Sequence, residues 1–161
     1  MLVDLPNLMQ TCAPHVAPST MNAIIQTESK GNALAIGLNH GYRLVYQAKS
    51  YEQAKAWVLY LDKHHYNFDV GLGQVNIINI RKFGYNPVDA LDPCTNIKMS
   101  AKILTKSYAN ALSKSSTQND ALLKAISAYN TGNYRSGFNN GYVYKVVKNA
   151  KLATVIDVKQ P

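Results

Sequence analysis

The chain has 161 residues, of which 47% are hydrophobic and 16% charged. That length suits one compact domain, and that composition excludes a chain disordered throughout. Seventeen Lys and Arg against nine Asp and Glu give a net charge of +8. Such a balance suits a polyanionic partner, whether nucleic acid, anionic membrane or cell-wall polymer, and it equally suits a soluble basic surface with no special partner.

The basic residues are spread along the chain without a Lys/Arg-rich block, so nucleic acid is not the expected partner. No apolar run approaches the roughly 20 residues of a membrane helix, so insertion into a bilayer is not expected. The opening MLVDLPNLMQ lacks a basic start and a long apolar block. It does not read as a secretory leader: either the protein stays in the cytosol or a leader has been removed.

No repeat or low-complexity linker divides the chain, and one domain over 1–161 is expected, with its core at about 8–150. Residues 19–30 predict a helix, capped by Ser19 or Thr20 and closed by Gly31. Met21, Ile24 and Ile25 form its apolar face. In 33–47, Asn39-His40-Gly41 lies between two apolar runs and predicts a short β-hairpin. Residues 51–65 predict a helix with Ala54, Trp57, Val58 and Leu61 on one stripe.

Residues 67–76 hold two glycines and predict a tight turn, followed by a short helix over IINIRKFG. Residues 94–112 predict the clearest helix, on Ile97, Ala101, Leu104, Tyr108 and Ala111. The polar 113–120 reads as a surface loop. A helix over about 119–130 buries Leu122, Leu123, Ile126 and Tyr129 and stops at Gly132, and a last one runs from about Gly141 to Leu152. The expected class is mainly α with one small hairpin.

Glu28 stands out chemically. It follows Ile25 by three places, Ile24 by four and Met21 by seven, which puts it inside the apolar face of its helix. A carboxyl there loses water, and desolvation disfavours its charged form. An acid kept protonated near neutral pH is what general acid catalysis requires. The alternative is a half-buried Glu at a helix end, paired with a Lys or with backbone amides. Glu52, the other Glu in the chain, opens a helix, where it suits the macrodipole.

Three segments, 71–76, 127–134 and 141–146, are rich in Gly, Asn, Gln and aromatics. Amides match hydroxyl and acetamido groups, and rings stack on sugar faces. Turn chemistry and core tyrosines explain each segment better when it is taken alone. No nucleophile elbow or phosphate loop is present. The four His lack metal spacing, so no metal and no cofactor is expected. Cys12 and Cys94 lie far apart without a C-x-x-C, which argues against zinc and leaves two buried thiols or one disulfide.

Taken in order, these pieces resemble a known family. Thr27-Glu28-Ser29-x-x-Asn32 followed by Ala35-Ile36 is similar to the first motif of lysozyme-like lytic transglycosylases. GLGQVN (71–76) resembles their Gly-Leu-Met-Gln motif, with Gly73 in place of Met. Ala128-Tyr129-Asn130-Thr131-Gly132 resembles a third motif, and Gly141-Tyr142-Val143 with Lys145-Val146 a fourth. Cys12-Ala13-Pro14, Ser19-Thr20, Arg43-Leu44-Val45, Asn67-Phe68-Asp69-Val70 and Asp92-Pro93-Cys94 look like the subfamily associated with type IV secretion systems. The resemblance covers about residues 8–150.

The resemblance implies a lysozyme-like fold close to goose-type lysozyme, and a peptidoglycan substrate cut between N-acetylmuramic acid and N-acetylglucosamine. It implies a 1,6-anhydro product and one carboxylic acid, Glu28, for both proton transfers. Ser29, Gln74, Asn76, Tyr129, Asn130 and Tyr142 are then the expected substrate-binding residues, with Asp69 structural or orienting. It also implies a Cys12–Cys94 disulfide, a periplasmic location after removal of a leader, and secretion-system subunits as partners. A muramidase that releases reducing ends and a non-catalytic wall-binding scaffold are the alternatives.

Overall fold

The computed structural model describes residues 4–159, with side chains described as far as Lys151. Its elements are α1 (Leu5–Cys12), α2 (Pro18–Ser29), β1 (Ile36–Leu38), α3 (Tyr51–Lys63), β2 (Phe68–Val70), β3 (Val75–Asn76), α4 (Ile77–Lys82), a 3-10 turn (Pro87–Leu91), α5 (Pro93–Leu112), α6 (Gln118–Thr131), α7 (Ser136–Asn139) and α8 (Tyr142–Lys159). Two compact units emerge, one of residues 1–14 and 28–100, the other of 15–27 and 101–161. No helix among the described residues is long and apolar enough to cross a membrane.

The first unit is built around a three-stranded antiparallel sheet in the order β1-β2-β3. Ile36, Phe68, Val70 and Val75 are buried in its core with Leu72 and Ile80. Ala54, Val58 and Leu61 are the buried stripe of α3, which packs against the 3-10 turn. Ser50 caps that helix by accepting the Gln53 N–H at 3.2 Å. Trp57, expected on the same stripe, stands 37% exposed, edge-on to Tyr60. Cys12 and Cys94 form a disulfide across 82 residues, which joins α1 to the first turn of α5.

The hairpin expected within 33–47 does not form. β1 pairs instead with β2, Ile36 opposite Val70 and Leu38 opposite Phe68. The second run stays out of the sheet, with Val45 85% and Tyr46 78% exposed. One side chain replaces the missing strand. Gln47 Nε2 donates to the Ile36 carbonyl at 2.9 Å, and its Oε1 accepts the Ile36 N–H at 3.0 Å. The hairpin of the structure lies later, where β2 and β3 flank the Gly71–Gln74 turn. Two short strands thus occupy a stretch that predicts only a turn.

The second unit is helical. Ala121, Ala125, Ile126 and Ser127 are the buried face of α6, while Leu122, Leu123 and Tyr129 are half-buried. Thr117 caps the helix by accepting the Asp120 N–H at 3.0 Å, and Gly132 ends it at φ 80°. α7 has no counterpart in the sequence expectations. It packs on α6 because Gly137 has no side chain: a Cβ there would lie 2.5 Å from Ser127 Cα. Ser127 Oγ accepts the Gly137 N–H at 2.9 Å and donates to the Asn133 carbonyl at 2.8 Å.

Candidate functional site

Glu28 occupies the last turn of α2 and is half-buried, beyond the fully buried Ile24 and Ile25 of the same helix. The chain then leaves α2 through two left-handed residues, Lys30 (φ 54°) and Gly31 (φ 81°). Asn32 holds the exit, since its Oδ1 accepts the Leu34 N–H at 3.0 Å and its carbonyl accepts the Ala35 N–H at 3.2 Å. Within the second unit, Thr27 Oγ1 donates to the Ala23 carbonyl and accepts from Asn149 Nδ2. The helix end that carries Glu28 is therefore tied down on both sides of that residue.

Ser29 makes the next link. Its Oγ donates to the Leu72 carbonyl at 2.8 Å, which joins the Glu28 motif to the Gly71–Gln74 turn. That turn has a central brace, Asn96, which is fully buried. Asn96 Nδ2 donates to the Val70 and Ala90 carbonyls, and its Oδ1 accepts the Gly73 N–H at 2.8 Å. The fit requires glycine at 71: φ is +78°, and a Cβ would lie 2.3 Å from Asn96 Nδ2. Asn96 was not singled out in the sequence. Its only signal is an amide in the first turn of a helix that begins at Pro93.

Gln74 and Asn76 are held by the protein itself. Gln74 Nε2 donates to the Ala35 and Gly71 carbonyls, both at 3.0 Å. Asn76 Oδ1 caps α4 by accepting the Ile78 N–H, and its Nδ2 donates to Asn67 Oδ1 and Asp69 Oδ1 at 2.9 and 2.8 Å. Asp69 also accepts from Asn39 Nδ2 at 3.3 Å. Burial raises the Asp69 pKa above the ordinary aspartate value, and the two amide donors offset part of that rise.

The remaining expected residues belong to the second unit. Asn130 is exposed, Tyr129 half-buried, and Tyr142 buried at 7% exposure in the first turn of α8. Asn140, absent from the sequence expectations, joins two of them. Its Nδ2 donates to Asn130 Oδ1 at 2.9 Å, and its Oδ1 accepts the Tyr142 N–H at 2.9 Å. The first unit thus brings together Ser29, Gln74 and Asn76 around one turn, and the second brings Asn130 and Tyr142 together around Asn140.

Residues 6–152 match the model of the Transglycosylase SLT domain family. The chain is 42% identical over 153 residues to the type IV secretion system protein virB1 of Brucella suis, a match covering 91% of this chain and 64% of that protein. It is 42% identical over 146 residues to protein virB1 of Agrobacterium fabrum, covering 89% of this chain and 58% of that protein. The chain therefore spans less than two thirds of the length of these relatives. No solved structure matches it. With its helices, its small antiparallel sheet and a family match over nearly its whole length, the chain belongs to the transglycosylase SLT domain family and has a lysozyme-like fold.

Proposed function

We propose that this chain is a peptidoglycan lytic transglycosylase that acts as a single catalytic domain and uses Glu28 as its one acid–base residue. Glu28 protonates the oxygen between N-acetylmuramic acid and N-acetylglucosamine as that bond breaks. It then takes the proton from the muramic acid's 6-hydroxyl as that oxygen bonds to carbon 1, which leaves a 1,6-anhydro end. No water enters the product, and one carboxyl regenerates itself, in contrast to the two carboxylates of ordinary glycosidases.

The observation that carries this reading is the Ser29–Leu72 hydrogen bond within a family match over residues 6–152. It locks the helix end bearing the acid to the GLGQVN turn. Ser29 and Asn76 act here by positioning, because their side chains hydrogen-bond to the protein. Tyr129, Asn130 and Tyr142 are assigned to glycan binding, and Asn140 bonds to the last two. The proposed setting is the periplasm, where the enzyme opens the wall locally for a type IV secretion apparatus and meets its subunits. The virB1 relative from Brucella suis carries that system in its name.

Glu28→Gln is expected to abolish clearing of a peptidoglycan gel while the thermal transition survives. Undiminished clearing by that variant refutes the assignment. Mass spectrometry of muropeptides released by the unmodified chain is expected to find ends one water lighter than reducing ends, and reducing ends would make it a muramidase.

A further inference from the structure

Exposed apolar side chains that gather on one surface mark a contact with something else. Most of the large apolar side chains that stand exposed among the described residues fall between 42 and 60, in the first unit. They divide between α3 and the loop before it. Gln53, Trp57, Tyr60 and the capping His64 recur every three or four places, which aligns them along one edge of the helix. Their rings meet in order: Trp57 is edge-on to Tyr60 at 5.9 Å between centroids, and Tyr60 lies 4.3 Å from His64. Ala54, Val58 and Leu61 serve the core, and Tyr60 stays 51% exposed.

The loop runs beside that edge. It is tied to the start of α3, where the Lys49 N–H donates to Gln53 Oε1 at 2.8 Å. It is tied again just past the end of α3, where Tyr42 stands edge-on to Tyr66 at 5.4 Å. Gln47 pins it to β1 through both amide atoms. Val45 and Tyr46 lie between these ties, so the fold holds them out in solvent. Cations are interleaved. Over residues 42–65, Arg43, Lys49, Lys55 and Lys63 face only Glu52 and Asp62 as acids, and Asp62 is taken by Arg81.

That mixture selects a partner. Interfaces between proteins are depleted in Lys. Tyr and Trp interleaved with Lys and Arg suit the boundary between membrane and water, where rings enter the apolar side and cations reach headgroup phosphates. We infer that the Trp57–Tyr60 edge of α3 and the 42–49 loop form a docking surface for an anionic lipid leaflet. Val45, Tyr46 and Tyr60 enter the headgroup layer, and Arg43, Lys49 and Lys63 meet its phosphates. The chain lies on the bilayer and does not cross it, since no described helix is long and apolar enough. The surface is separate from the acid assigned above: it sets where the protein is held, whatever Glu28 does there.

The test uses the full chain and unilamellar vesicles. Trp57 is the one tryptophan in the chain, so its emission reports on this surface alone. Vesicles of phosphatidylglycerol with phosphatidylethanolamine are expected to sediment the protein and shift that emission to the blue, and brominated acyl chains to quench it. Phosphatidylcholine vesicles should bind at least about tenfold more weakly. Two exposed pairs keep the reporter. Tyr46→Ser with Tyr60→Ser should weaken binding about tenfold, and Arg43→Ala with Lys63→Ala about twenty-five-fold, each cation near an anionic surface being worth roughly fivefold. Should one pair fail to fold, the other pair and the quenching of the unmodified chain decide. Neither sedimentation nor quenching overturns the inference. Binding without quenching, undiminished in both pairs, places the lipid contact elsewhere and also overturns it. Vesicles left unbound while a photo-crosslinker at position 46 captures a protein or a second copy of the chain overturn it in favour of a protein partner.

Discussion

The two units hold themselves together by different means. The helical unit relies on spacing and small residues: alanines and Ser127 along α6, and Gly137 where α7 meets it. The sheet unit relies on side-chain amides. Asn96 braces a turn, Gln74 ties that turn to the chain before β1, Asn76 caps α4, and Gln47 takes the place of a strand. Helices satisfy their own backbone groups, whereas strands of two or three residues leave many unpaired, and buried orphans are costly. Amides supply both donor and acceptor at one point. The unit with the shortest regular elements therefore carries the densest polar network.

Perturbations should separate the two schemes. The largest effect is expected from the crosslink that only the sheet unit has. Replacing Cys12 and Cys94 together by Ala should cost about 4 kcal/mol in the chain-entropy model, read as a lower urea midpoint. Hydrogen exchange should show amides of residues 68–76 losing protection before those of α6, and equal loss in both would erase the contrast.

Next comes Gly71→Ala, which drives a Cβ into Asn96 Nδ2 and the Ala90 carbonyl from a left-handed backbone. It should cost about 3 kcal/mol. Gly132→Ala is the matched control, since it shares the backbone conformation (φ +80°) and meets nothing within 4 Å. It should cost about 1 kcal/mol. Equal losses would mean that backbone conformation, not the Asn96 brace, sets the requirement at 71. Thr117→Ala removes the cap of α6 and should cost about 1 kcal/mol, visible as fraying of that helix alone.

The smallest effect is a pH dependence. The folded Asp69 carboxyl, its pKa raised by burial, binds its proton more tightly than in the unfolded chain. Its contribution to stability is therefore full below the ordinary aspartate pKa and is lost as pH rises through the raised folded value. Relative to Asp69→Asn, the unmodified chain should lose a fraction of a kcal/mol as pH climbs through the carboxylate range, solvent screening keeping the effect small. A stability difference that is flat with pH would show that Asp69 is as well solvated in the fold as outside it.

Legibility in the sequence followed the length of the elements, not the division into units. α2, α3, α5 and α6 were readable because apolar residues recur every three or four places and the ends carry Ser50, Thr117 and Gly132. β2 and β3 were missed because each is too short for alternation to stand out. The signal was nevertheless there: Asn67-Phe68-Asp69-Val70 and Gln74-Val75-Asn76 alternate polar with apolar on either side of two glycines. Arg43–Gln47 misled because its apolar residues look like strand, yet it meets β1 through the hydrogen bonds of the Gln47 side-chain amide. Ser29 and Gln74 were legible as motif members, while their bonds to Leu72 and Ala35 depend on pairings no local pattern encodes. Asn96 and Asn140 act by bridging remote backbone, which leaves almost no local trace.

Gln47 has a consequence for the protein at high concentration. An unpaired strand edge is a template on which another chain can continue the sheet. At Ile36 both backbone groups on the outer edge of β1 are already held by one side-chain amide. Growth by strand addition stops at a residue that cannot itself be extended. Many copies can then crowd together without their sheets merging, and Gln47→Ala would reopen that edge to aggregation.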